Sequence, residues 1–161
     1  MSIPIGQTRP EAASLSLALP RMNADELAKV YAGGETVPLP NGDARGIALL
    51  FPNSGLSPLL AKIGGVVWQG KSVDAGAGRL INRVFFVLRV IPAKIYEGES
   101  WFDDGRAIII DYADTSTSFF YMRDEVRRVA DGLFLGRSYY RKGARGKYVL
   151  TFTMDFTRVG G

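Results

Sequence analysis

The stretch Met122–Gly136, MRDEVRRVADGLFLG, fits two secondary structures, and the choice between them decides the fold. As a helix it places Met122, Val126 and Val129 on one face, pairs Asp124 with Arg128 at i,i+4, and stops at Gly132. As a hairpin it turns at Asp131-Gly132 between VRRVA and LFLGR. The surrounding chain favours the hairpin, because segments of period two crowd it on both sides.

Upstream, Ile108, Ile110 and Tyr112 alternate with Ala107, Ile109 and Asp111. Downstream, KYVLTFTMDF puts Leu150, Phe152, Met154 and Phe156 on one face and Thr151, Thr153 and Asp155 on the other, a half-buried strand with one dry side. The full set of expected strands is Val66–Lys71, Leu80–Val90, Ala93–Trp101, Ala107–Ala113, Thr117–Arg123 with a continuation through Arg128, Leu133–Arg141 and Lys147–Thr157. Asp104-Gly105, Asp131-Gly132 and Gly143–Gly146 punctuate them as hairpin turns. Seven or eight such strands in succession tend to close and remove their edges. The expected fold is therefore mainly β, an antiparallel up-and-down barrel with a short N-terminal helical segment.

The rest of the chain is read around that barrel as one domain. Residues 1–22 carry three prolines and no sustained period, which predicts an extended arm. Asn23 with Glu26 forms a capping box that starts a short helix, and residues 23–63 are helix and loops before a barrel over 64–158. A helical turn is expected at Leu59–Ile63.

Composition excludes several chemistries. The 161 residues contain no Cys and no His, so thiolate nucleophiles, disulfides, Cys-ligated metals and imidazole catalysis are absent. No metal or other cofactor is expected, and any catalysis must use Asp, Glu, Tyr, Lys, Arg or Ser. No apolar run nears the ~20 residues that cross a bilayer, so membrane insertion is not expected. The segment Ala12–Pro20, AASLSLALP, could pass for a signal-peptide core, but Arg9 and Glu11 precede it without a clean basic region, and a cytoplasmic location is favoured.

A formal charge of +4 is too small to demand an acidic partner. The basic, tyrosine-rich RSYYRKGARGKY (Arg137–Tyr148) could stack and neutralise nucleic acid, yet a wet hairpin tip explains it as well, and no nucleic-acid partner is assigned. Phosphate-loop, dinucleotide and nucleophile-elbow motifs are missing, and the Gly76–Gly78 pair reads as a turn.

Three blocks suggest a site. In LINRVFFVLRV both faces are partly apolar, which suits a wall covered by an arm, a helix or a second subunit, so a homodimer stays open; Asn82 falls on the drier face with Arg83 opposite. Asp111 either points into the barrel, where Arg123 or Arg83 would pair with it, or ends its strand and caps the YADTST turn. Arg123, Glu125 and Arg127 share one face with Phe119 and Tyr121 and read as a solvated ladder.

Trp68 in GGVVW and Arg158 in MDFTR resemble the Trp and Arg that close one end of lipocalin-like (calycin) barrels, where the guanidinium packs across the indole. The family's Gly-x-Trp is one residue longer here, Gly65-Val66-Val67-Trp68. WQGK, DDGRAIIIDY, RDEVRRV and DGLFLG are similar to blocks of small uncharacterised bacterial and plant members. The resemblance covers about residues 60 to 158. It implies a cup for an apolar small molecule and assures no activity.

An eight-strand cup holds one small ligand, here a fatty acid, an isoprenoid or a polyketide-like aromatic. Its lining would be Trp68, Asn82, Arg83, Tyr96, Trp101, Phe119, Tyr121, Arg123 and Tyr139, unless those rings simply fill the core. The alternative is a cofactor-independent cyclase, isomerase or hydratase in which Asp111 or Glu125 moves a proton and Tyr112 or an arginine steadies developing charge.

Overall fold

The computed structural model describes residues 9–49, 68–84, 89–115 and 120–157, with residues 9–10, 68–70, 81–84 and 89–91 described by backbone alone. Helix α1 (Arg9–Ala18) runs through a 3-10 turn (Leu19–Arg21) into α2 (Ala24–Ala32). Eight strands follow: β1 (Gly42–Leu49), β2 (Trp68–Asp74), β3 (Arg79–Val84), β4 (Arg89–Glu99), β5 (Arg106–Asp111), β6 (Met122–Ala130), β7 (Leu133–Tyr140) and β8 (Lys147–Asp155). All neighbours are antiparallel and the sheet closes in chain order.

β1 makes the closure. Gly42–Ala44 pair with β2 and Arg45–Leu49 pair with β8, so the strand joins one neighbour through its start and the other through its remainder. The sequence suggests no strand here, because TVPLPNGDARG is rich in turn formers. Residues 9–21 are likewise helical where an extended arm is expected: Ala12 and Leu19 are buried among Leu27, Tyr31, Leu133 and Leu135, so packing against the barrel overrides a weak local pattern. The Asn23–Glu26 capping box forms as expected, each side chain accepting from the other's N–H.

The ambiguous stretch is a hairpin. Its turn differs from the expected mirror-image type, since Gly132 (φ 69°) has positive φ and Asp131 does not, and the register slips between Arg128 and Ala130. That is a bulged turn. The expected strand Leu80–Val90 is two strands, β3 ending at Val84 and β4 starting at Arg89. Pro92 is tolerated inside β4 because β5 joins the ladder only from Lys94 onward. The Leu59–Ile63 turn lies outside the described residues.

Two apolar layers result. Inside the barrel, Val73, Leu80, Ile108, Ile110, Val126, Phe134, Phe152 and Met154 pack together, and Leu39 covers one end with Val37. Outside, α1 and α2 cover the wall at Leu133 and Leu135, and reciprocal backbone bonds between Glu35 and Arg128 pin the chain after α2 to β6. Leu19, Leu27 and Tyr31 are essentially fully buried in that layer, at roughly 1.5–3 kcal/mol gross for each large apolar side chain.

Gly136 and Phe152 are register partners, and a Cβ on Gly136 would come within 2.2 Å of the Phe152 ring. Gly136→Ala is expected to cost about 1–3 kcal/mol through overpacking. Adding Phe152→Leu should return part of that loss in urea unfolding, whereas unchanged stability in the single variant would show that the ring does not rest on Gly136.

Candidate functional site

β6 carries two adjacent carboxylates, and strand alternation sends them to opposite sides of the wall. Asp124 shares the inner face with Met122 and Val126. Glu125 points outward beneath α2 and the turn after β4. Each gathers a separate cluster.

The inner cluster holds Lys71, Tyr112, Asp124 and Ser138. Lys71 Nζ donates to Asp124 Oδ2 at 3.0 Å and to the Tyr112 hydroxyl at 2.8 Å. Tyr112 donates to the same Asp124 oxygen at 3.1 Å, and Ser138 Oγ donates to Asp124 Oδ1 at 2.6 Å. Lys71 also lies 5.0 Å from the Phe152 ring centroid. Both charged side chains are nearly sealed from solvent, 2% and 7% exposed. Burial, then the Asp124 charge and hydrogen bond, push the Tyr112 hydroxyl well above its ordinary range, so it remains a proton donor. The cluster sits toward the end of the barrel where β5 and β7 finish and β6 starts, with Ile108, Val126, Phe134 and Met154 farther along the interior.

The outer cluster centres on Glu125, which is fully buried. Its Oε1 accepts from the Tyr31 hydroxyl at 2.8 Å and Ser100 Oγ at 2.6 Å; its Oε2 accepts from the Trp101 N–H at 2.8 Å and Arg123 Nη1 at 3.0 Å. Arg123 also donates to the Glu99 carbonyl and stacks 4.1 Å from the Trp101 ring centroid. Arg127 grips Asp103 with both Nη atoms and packs 4.7 Å from the Tyr31 ring centroid. The Arg123, Glu125 and Arg127 ladder is therefore buried and not solvated as expected: Tyr31 from α2 and residues 100–103 cover it and satisfy its charges. Burial, then the Glu125 charge and hydrogen bond, push the Tyr31 hydroxyl far up.

Asp111 lies on the same outer wall. It caps the turn by accepting from the Ala113 N–H at 2.9 Å, and it also accepts from the Tyr96 hydroxyl at 2.7 Å and pairs with Arg141. Burial alone would raise the Asp111 pKa, but those three donors together outweigh it and hold the group below its ordinary value. The partner of Asp111 is thus Arg141 and not the expected Arg123, which pairs with Glu125, while the Arg83 side chain lies outside the described side chains. Arg127 likewise holds Asp103 down through its hydrogen bonds.

The structure thus brings Tyr96, Trp101, Asp111, Arg123, Glu125 and Tyr139 together on the outside of the wall, and Tyr112 alone of the candidates lies within the described interior. Trp101 meets Tyr139 edge to face at 5.6 Å. Tyr121 packs on Tyr140 with ring centroids 5.0 Å apart. Trp68, Asn82 and Arg83 are placed by backbone only, with Lys71 and Asn82 as register partners, while Phe119 and Arg158 fall outside the described residues. Lys71, Asp124 and Ser138 escape sequence reasoning. Their signal is phase: Asp124 shares a face with Met122 and Val126, and Lys71 with Val73, so each is a charge on a dry face.

Glu125→Gln should destabilise the protein by about 3–5 kcal/mol, since it leaves Arg123 buried without a counter-charge; a loss under about 1 kcal/mol in urea unfolding would refute that reading. Asp103 and Asp111 have lowered folded pKa values. Their contribution is therefore complete above the unfolded carboxylate range near ~4 and is lost as pH falls through the lower folded values. Stability measured from pH ~5 downward should fall, and Asp111→Asn should flatten that fall.

No protein-family model matches the chain, and no curated protein matches it. Among solved structures, a protein from Thermomonospora curvata superimposes with a TM-score of 0.60 at 16% identity, over 89% of this chain and 96% of that one. That likeness is one of fold: a closed antiparallel barrel shared across nearly the whole of both chains.

Proposed function

We propose that the barrel binds one small lipophilic molecule whose polar head meets the Lys71, Tyr112, Asp124 and Ser138 cluster. The observation that carries this reading is a nearly sealed ion pair in an otherwise apolar interior. Stability alone gives little reason for it, since a buried ion pair is often matched or bettered by apolar residues of similar volume. A binding site does give a reason, because apolar pockets orient their ligands with a few convergent polar groups.

The cluster carries one positive and one negative charge and contains both donors and acceptors. An uncharged hydroxyl or carbonyl head suits it better than a carboxylate, which Asp124 would repel. Among lipophilic classes this favours an isoprenoid or polyketide-like molecule over a fatty acid.

A second reading is a cofactor-independent isomerase or cyclase. It is favoured by the Tyr112 hydroxyl, which accepts from Lys71 while donating to Asp124. In that arrangement Asp124 would take a proton next to a carbonyl, and Lys71 with Tyr112 would steady the enolate. Asp111 and Glu125 stand on the far side of the wall from the interior, so this chemistry would rest on Asp124.

Retinol, an isoprenoid alcohol, should bind saturably at one site per chain and tighter than cis-parinaric acid, measured by ligand fluorescence. Replacing the pair together, Lys71→Met with Asp124→Leu, should keep the fold and weaken retinol binding about tenfold through lost hydrogen bonds. Flat titrations with both probes would sink the proposal. Exchange of solvent deuterium into enolisable ketones, abolished by Asp124→Asn, would select the catalytic reading.

A further inference from the structure

We propose that the outer wall carries a second, separate site, centred on Arg137 of β7, for a small planar carboxylate. The neighbouring arginines are each ion-paired, Arg123 with Glu125, Arg127 with Asp103 and Arg141 with Asp111. Among the described residues Arg137 has no carboxylate partner, although Glu125 is its register partner across β6. The Glu125 oxygens are taken by Tyr31, Ser100, Trp101 and Arg123. Among the described residues, Arg123, Arg127 and Arg141 are matched one to one by Glu125, Asp103 and Asp111, which leaves Arg137 as the guanidinium of this group without a carboxylate.

The guanidinium is held in place by rings. Its carbon lies 4.4 Å from the Phe102 centroid and 4.3 Å from the Tyr148 centroid, and Nε donates to the Tyr139 hydroxyl at 3.0 Å. That leaves the two Nη atoms without an acceptor among the described residues. Among the described residues, Arg141 Nε is the buried side-chain polar atom that lacks a partner. The Arg137 Nη atoms are therefore within reach of solvent, and of a ligand.

The nearby hydroxyls add donors. Tyr139 accepts from Arg137 and keeps its own hydrogen, which burial retains by pushing its pKa up. Tyr148 and Thr151 share one hydrogen bond of 2.6 Å with two hydrogens between them, and Thr151 is the register partner of Arg137 on β8. A spot rich in donors, short of acceptors and carrying a net positive charge fits an oxyanion. A guanidinium whose Nε is occupied offers two parallel N–H bonds from its Nη edge, which match the two oxygens of a carboxylate. The flanking Phe102 and Tyr148 rings suit an aromatic body behind that carboxylate.

The direct test is side-chain NMR of arginine-labelled full-length protein titrated with benzoate, acetate and inorganic phosphate, the Arg137 signals being assigned from their loss in Arg137→Lys. Benzoate should shift the Arg137 signals saturably, acetate should bind more weakly, and Arg137→Gln should weaken benzoate by about tenfold or more through loss of the charge-assisted pair. The wild-type titration stands even if a variant fails to fold. An Arg137 signal indifferent to benzoate, unchanged benzoate affinity in Arg137→Gln, or phosphate binding as tightly as benzoate would each overturn the assignment.

Discussion

Two neighbouring carboxylates on one strand must both be satisfied out of water, on opposite sides of the same wall. Asp124 meets this inside the barrel with Lys71, Tyr112 and Ser138, and Glu125 meets it outside with Tyr31, Ser100, Trp101 and Arg123. An unpartnered charge in either place would cost several kcal/mol. The partners come from β2, the residue after β5 and β7 on the inside, and from α2, β6 and the turn after β4 on the outside. The register of β6 is therefore tied to most of the molecule, because a one-residue slip would exchange the two carboxylates and strand both.

The outer cluster explains how two short helices remain on a barrel that closes without them. Nine residues of α2 hold little helical stability in isolation. Leu27 and Tyr31 bury against Leu133 and Leu135, and the Tyr31 hydroxyl reaches Glu125. Apolar burial supplies most of the free energy, while the hydrogen bond fixes where the helix sits. The inner cluster also ties strands together, yet apolar residues of similar volume could do as much, and that favours a functional reading on the inside.

Much of the barrel was legible because alternation is a local property. In Lys147–Asp155 the apolar and polar faces show in the chain itself, although Thr151, Thr153 and Asp155 on the polar face are buried where a wet side is expected, and Asp131-Gly132 marks the hairpin that the ambiguous stretch forms. β1 was hidden by its turn-forming neighbours, and α1 by a pattern that makes sense only once the wall at Leu133 and Leu135 is present. The candidate residues were partly legible for the same reason. Polar and aromatic residues near one another in sequence were easily gathered, yet alternation placed Asp111 and Glu125 outside and left Tyr112 within. Lys71 and Asp124 are 53 positions apart, a pairing that no local pattern announces. Arg137 was visible as part of a basic, tyrosine-rich run, but its lack of a carboxylate emerges only when every neighbouring arginine is seen to have one.

The central claim is that the polar pair inside the barrel exists to hold a ligand. Native mass spectrometry of the protein purified from its own host under non-denaturing conditions tests this most directly. The account predicts a species heavier than the bare chain by one small lipophilic molecule, diminished in the Lys71→Met, Asp124→Leu protein. A bare-chain mass alone, persisting after incubation with retinol, would contradict it.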